Sequence, residues 1–251
     1  MKKILLLFLL VSPAFMVSAQ VSIKDSSIFT PIIHATYEYQ FPSGDLAERF
    51  GSNSSIGGGL LFKTRSNWLI GAEFNYLFGS NVRNSDSLLL NISTTEGLII
   101  DANGMFADVI FYMRGYNFFG TLGKLFPVLS PNPNSGISLS AGLGYTQNKI
   151  RIHNPNNTAP QIFGDYNKGY DKLNGGFALK GSLGYQYLSN SRLVNFYAGF
   201  EFMQAWTKSK RDVDFETGEP DLKNYSSQYY SIRVMWFIPI YKRVPKAYYL
   251  Y

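Results

Sequence analysis

From Leu193 to Ala205 the chain alternates between two kinds of side chain. Val194, Phe196, Ala198, Phe200 and Phe202 share one face of an extended strand, and Asn195, Tyr197, Gly199 and Glu201 share the other. Similar alternation recurs over residues 32–41, 55–62, 68–78, 106–114, 136–150, 176–187 and 227–238. These segments match the roughly 9 to 11 residues with which a tilted strand crosses a bilayer. In every segment the apolar face mixes aromatic with small residues, as in Ile33, Ala35, Tyr37, Tyr39 and Phe41. We read that face as meeting lipid. In the fourth segment it comprises Ala107, Val109, Phe111 and Met113, which points Asp108, Ile110, Tyr112 and Arg114 inward. The pattern predicts an all-β protein, an eight-stranded antiparallel up-and-down transmembrane β-barrel.

Long connections follow the first, third, fifth and seventh segments, and short ones the second and sixth. This places the short turns and both chain ends in the periplasm and the long loops outside the cell. Residues 79–104 carry apolar patches at Leu88, Leu89 and Leu90 and at Leu98, Ile99 and Ile100, which predicts a hairpin above the membrane. Residues 115–135 are too apolar for a free loop and are expected to pack on the barrel rim or plug its end.

Residues 1–19 begin with Lys2 and Lys3, continue through an apolar block and end Val17-Ser18-Ala19, the pattern of a cleaved signal peptide. A short periplasmic lead (20–30), the barrel (31–241) and a basic, Tyr-rich tail (242–251) complete the expected organisation. The sequence has no cysteine, so thiolate, disulfide and lipoprotein chemistry are excluded. Its 18 Tyr, 20 Phe and 23 Gly suit interfacial rings and a narrow interior. The formal charge of +6 becomes +4 once Lys2 and Lys3 leave with the signal. On the expected orientation Lys63, Arg65, Arg114, Lys124, Arg192, Lys242, Arg243 and Lys246 form a basic periplasmic rim facing anionic lipid headgroups, while most acids lie in the outer loops.

A bore of eight strands is filled by side chains, so the inward charges Glu38, Glu73, Asp108, Arg114, Lys180, Glu201 and Arg233 must pair. The spacing sets Lys180 opposite Glu201 and Arg233 near Glu38, so exchanging Glu38 and Arg233 is expected to restore some of what Arg233→Leu loses. The two histidines do not suggest catalysis. His34 points inward, and His153, just beyond the fifth segment beside Asn154, has at most a loop Asp or Ser to meet. Residues 164–171, with Asp165, Tyr166, Tyr170 and Asp171, lack the helix or oxygen ladder of a phosphate or calcium loop. With Asp45 and Arg49 they are candidates for surface recognition. No enzyme activity, cofactor or metal is expected, a lipid- or peptide-modifying outer-membrane enzyme being a distant third reading, and the basic residues lack the interleaved aromatics of a nucleic-acid surface.

The motifs Pro42-Ser43-Gly44-Asp45-Leu46, Arg49-Phe50-Gly51, Gly123-Lys124-Leu125-Phe126-Pro127, Asn132-Pro133-Asn134-Ser135-Gly136 and Gly164-Asp165-Tyr166 with Gly169-Tyr170-Asp171, together with the tyrosine-rich end, resemble outer-membrane β-barrel proteins of Bacteroidota. The resemblance covers the mature chain. It implies location in the cell outer membrane, contact with outer-membrane lipids, and service as a structural barrel or as an accessory subunit of a larger secretion or assembly complex. For a subunit, the docking candidates are residues 118–129, with Lys124 and Phe126, and the tail with Lys242, Arg243 and Lys246. The alternative is a stand-alone barrel acting through its extracellular loops.

Overall fold

The computed structural model describes residues 24–241, so the expected signal peptide, the beginning of the lead, and Lys242, Arg243 and Lys246 of the tail lie outside the described residues. Eight antiparallel strands follow one another around a closed barrel: β1 (Thr30–Gly44), β2 (Asn53–Lys63), β3 (Trp68–Gly79), β4 (Ile110–Phe126), β5 (Gly136–His153), β6 (Asn174–Leu188), β7 (Asn195–Ser209) and β8 (Asn224–Pro239). β8 pairs back onto β1, so no strand edge is left open and the ladder satisfies the wall's backbone groups. Two short helices, α1 (Asp45–Arg49) and α2 (Ser85–Leu88), stand in long connections. No helix among the described residues is long and apolar enough to cross a membrane, which says nothing against crossing by strands.

The register fixes the shape of the barrel. From His34 the paired residues run through Gly59, Glu73, Phe119, Gly144, Ala178, Ala205 and Ser227 and return to β1 at Gly44, ten residues beyond the start. A shear of ten over eight strands tilts each strand by roughly 40–45°. A level circle therefore steps 1.25 residues per strand against the register. Along such a circle Tyr39, Tyr76, Tyr116, Tyr145 and Tyr230 come to one height near the long-loop end, while Trp68, Phe126, Tyr187 and Ile238 mark a lower one. The side chains between them on the outer face are apolar and exposed, among them Ile56, Phe74, Leu143, Leu183, Phe200 and Ile232. From Phe126 to Tyr116, at roughly 3.3 Å per residue and this tilt, the band is about 24 Å tall.

Seven strands keep the faces that alternation assigns, and β4 does not. The segment 106–114 overlaps only the start of β4, which runs on through the apolar stretch to Phe126. Residues 118–126 are thus the lower half of a wall strand rather than a rim plug. The faces reverse as well: Met113, Gly115, Asn117 and Phe119 are buried, and Tyr116, Phe118 and Leu122 are exposed on the outer wall. Two interior assignments fall with that reversal. Asp108 precedes the strand and is exposed in the connection, and Arg114 lies on the outer face near the long-loop end, away from the expected basic rim at the short-turn end. The physical cause is that 106–114 and 110–126 both alternate, in opposite phase, and periodicity alone does not choose between them.

Candidate functional site

The bore is closed in layers. At the short-turn end the Lys63 side chain is fully buried. Its Nζ donates to Ser27 Oγ at 3.0 Å, Asn134 Oδ1 at 2.8 Å and the Ile28 carbonyl at 3.3 Å. The lead is thereby stitched across the mouth, and Lys63 belongs to a plug rather than to the expected basic rim. Above it Ile32, Leu188, Tyr197 and Phe237 pack together. A cavity of about 30 Å³ follows, bordered by His34, Ser138, Ser140, Gln186, Tyr197 and Arg233, with room for about two waters. His34 Nδ1 lies 3.0 Å from Thr36 Oγ1 and its ring meets Phe237 edge-on.

In the upper part of the apolar band, just below the tyrosine level, the structure brings together Glu38, Glu73, Lys180, Glu201 and Arg233. Lys180 Nζ reaches Glu73 Oε1 at 2.5 Å and Glu201 Oε2 at 3.0 Å. Arg233 bonds Glu73 and Glu201 through its two terminal nitrogens, and its Nε lies 3.6 Å from Glu38 Oε1. Glu38 also accepts from Gln40 at 2.8 Å and Ser55 at 2.9 Å. Lys180 and Glu201 are diagonal neighbours rather than register partners, since Lys180 faces Met203 and Glu201 faces Ser182. Small residues make the room: the Lys180 stem crosses Gly142, and the Tyr197 ring lies over Gly184 and Gly199. The five charges are buried and each takes part in an ion pair, so side chains fill this level of the bore.

Above the ion pairs, Leu77, Met113, Phe119, Met203 and Tyr229 continue into a cap built from all four long connections, whose buried side chains include Leu46, Phe50, Leu88, Ile99 and Ile162. Of the apolar residues at 88–90 and 98–100, Leu88, Leu89 and Ile99 are buried in this packing while Leu90, Leu98 and Ile100 are exposed, and an isolated bridge joins Ile100 to Phe106. Polar contacts lock the connections together. Arg211 Nε donates to Asp171 at 2.8 Å, Lys172 pairs with Asp214 and with Glu216 at 2.6 Å, and Asn91 donates to the Phe215 and Glu216 carbonyls. Arg49 Nη1 donates to the Lys172 carbonyl at 3.4 Å, and its guanidinium lies 4.8 Å from the Tyr225 ring centre. Asp45 accepts from the Ser226 N–H at 2.7 Å and from Lys223 at 3.1 Å, and that backbone bond, followed by Lys223, holds its carboxyl below the usual aspartate value. The hydrogen bond to Asp171 raises the Arg211 guanidinium further.

The recognition candidates therefore separate. Asp165 and Tyr166 are exposed on the cap, Asp45 and Arg49 hold it to β8, and Tyr170 and Asp171 are buried inside it. A surface role for the last two is corrected: Tyr170 packs edge-on against Phe215, and Asp171 is the acid that orders Arg211. Of the docking candidates, Lys124 lies on the outer wall, donating to the Ser66 carbonyl at 2.6 Å with Nζ 4.9 Å from the Trp68 ring centre, and Phe126 is an exposed wall residue. His153 sits at the outer end of β5, its ring 6.4 Å from that of Tyr112. No group of three or more His, Asp or Glu able to hold a metal occurs among the described residues.

Sequence reasoning missed the Lys63 plug, although Asn-Pro-Asn at 132–134 is a turn signal that could have set Asn134 near it. It also missed an outer groove of about 350 Å³ where β3, β4 and β5 run side by side, lined by Tyr76, Arg114, Tyr116, Gln147, Lys149 and Arg151 among others.

No protein-family model matches the chain, and no curated protein matches it in sequence. Among solved structures it is similar to Ail, the attachment invasion locus protein of Yersinia pestis, with a TM-score of 0.46, 8% identity, and coverage of 84% of this chain and 99% of that one. It is also similar to Neisserial surface protein A, NspA, with a TM-score of 0.41, 12% identity, and coverage of 82% and 96%. The outer membrane protein OprG from Pseudomonas aeruginosa gives a TM-score of 0.43, 12% identity, and coverage of 86% and 99%.

Proposed function

We propose that the chain is a non-enzymatic integral outer-membrane β-barrel, with short turns and both ends in the periplasm, that acts on its own through the exposed surface of its cap. One observation carries the reading: an apolar band about 24 Å tall encircles a barrel without open edges, close to the roughly 25 Å expected of outer-membrane strands. In water such a surface would be an aggregation hazard. The export signal expected at residues 1–19 supports the same location, and the layered bore argues against passage of solutes.

An accessory role in a secretion or assembly complex would need residues 118–129 free to dock. With residues 118–126 used as wall, that support is gone, and the stand-alone reading is the better one. The test combines two measurements on the full chain. Unboiled protein is expected to migrate differently from boiled protein on a gel, and protein in planar bilayers is expected to show no conductance steps. Heat-insensitive migration would overturn the membrane barrel, and regular conductance steps would overturn the sealed bore.

A further inference from the structure

The outer wall holds a cluster of positive charge that the bore does not use and that the cap meets only through Lys149 and Asp171. Arg114 and Lys149 are register partners on the outward face of β4 and β5, and Arg151 follows two residues on, opposite Tyr112. Like charges directly opposed across a sheet repel. The nearby carboxylate, Asp171, lies 3.7 Å from Lys149 and is already bonded by Arg211. Arg151 is exposed, and its side chain has no ion pair or hydrogen bond among the described residues. Arg114 is fixed against the wall, with Nη1 donating to the Met113 carbonyl at 2.7 Å and the guanidinium 4.7 Å from the Tyr112 ring centre. An arrangement that crowds three cations and holds one of them in place offers an anion a site between them.

Position says what carries that anion. Arg114 stands two residues above Tyr116 on the outer face, and Lys149 and Arg151 stand four and six above Tyr145, roughly 5 to 15 Å beyond the tyrosine rim. Directly below, Phe74 stacks on Tyr116 with ring centres 6.1 Å apart, and Phe118 and Leu143 are exposed on the band. A molecule touching both zones is an amphiphile with a negative headgroup. We propose that this groove binds the phosphate-bearing headgroup of an outer-leaflet lipid. Arg114, Lys149 and Arg151 take the phosphate oxygens, the Tyr76 and Tyr116 rings sit at the junction, and the acyl chains lie along Phe74, Phe118 and Leu143. The assignment rests on the membrane-spanning reading above.

The full chain in detergent is incubated with a bisphosphorylated lipid A, with the same lipid stripped of phosphate, or with inorganic phosphate, and retained ligand is counted by native mass spectrometry. Wild type is expected to keep the phosphorylated lipid, and R114Q/K149Q/R151Q to keep it at least about tenfold less well. K208Q/K210Q, which removes two exposed cations at the end of β7, is expected to bind as wild type does. Heat-shifted migration separates loss of the site from loss of the barrel. Should the triple variant not fold, R151Q, which breaks no side-chain contact, is expected to lower retention about threefold. Unchanged retention in these variants, equal retention of the phosphate-free lipid, or inorganic phosphate held as tightly as lipid would overturn the proposal. A chain with no heat-shifted migration would instead overturn the membrane reading beneath it.

Discussion

Glu38 and Arg233 are register partners across the β1–β8 seam, yet Arg233 is not Glu38's alone: its Nε lies 3.6 Å from Glu38 while its terminal nitrogens bond Glu73 and Glu201. Arg233→Leu leaves three buried carboxylates to Lys180 and is expected to cost about 3–5 kcal/mol, read as a lower temperature for the gel shift. The sharing also changes what an exchange does. In E38R/R233E a carboxylate would stand between Glu73 and Glu201, so this variant is expected to melt no higher than Arg233→Leu. Recovery toward wild type would show that the seam pair acts alone.

Two interior glycines separate hard contacts from soft ones. A Cβ on Gly199 would meet the Gly184 Cα and the Leu183 carbonyl oxygen, each at 2.5 Å, so backbone would have to move. On Gly142 it would meet the Lys180 stem at 3.1 Å and the Gly120 carbonyl oxygen at 3.1 Å, a few tenths of an ångström too close. Gly199→Ala is expected to destabilise by roughly 1–3 kcal/mol or more, and Gly142→Ala by less. Urea unfolding in lipid vesicles measures both, and the reverse order would contradict the packing described.

Asp45 provides a pH dependence with a definite sign. Its folded value is depressed by the Ser226 N–H and then by Lys223, so its contribution is present above the usual aspartate value of 3.8 and fades only as pH falls through the lower folded value. Hydrogen exchange at the Ser226 amide, corrected for intrinsic rate, is expected to stay constant from neutral pH to about 4 and to quicken below that. Asp45→Asn is expected to quicken it at neutral pH. Loss of protection already near pH 6 would rule out Asp45 as the tether.

Much of the wall was legible because lipid on one side and a narrow bore on the other impose a period of two on every strand. Val194, Phe200, Glu201 and Arg233 could be given faces from spacing alone. β4 was misread because Ala107 and Val109 lie under the cap while continuing an alternation of opposite phase. Pro127, Pro131 and Pro133 mark the turn from which counting back would have set the right face. The cap was less legible. Asp171 in sequence looks like any loop acid, and only the approach of Arg211 from another connection explains its burial. The outer cations escaped notice for a related reason: once Arg114 is placed inside the bore, Lys149 and Arg151 have no cross-strand neighbour to repel.

The ion pairs also bear on assembly. Glu38 and Glu73 come from the first three strands, and Lys180, Glu201 and Arg233 from the last three. The early strands therefore carry two negative charges into the bore, and the late strands carry a net single positive charge. Until the first and last strands meet, neither group can neutralise itself in a dry environment. Closing the seam is what lets the two groups offset one another, so a chain truncated before Arg233 would keep three buried carboxylates with Lys180 as their one cation.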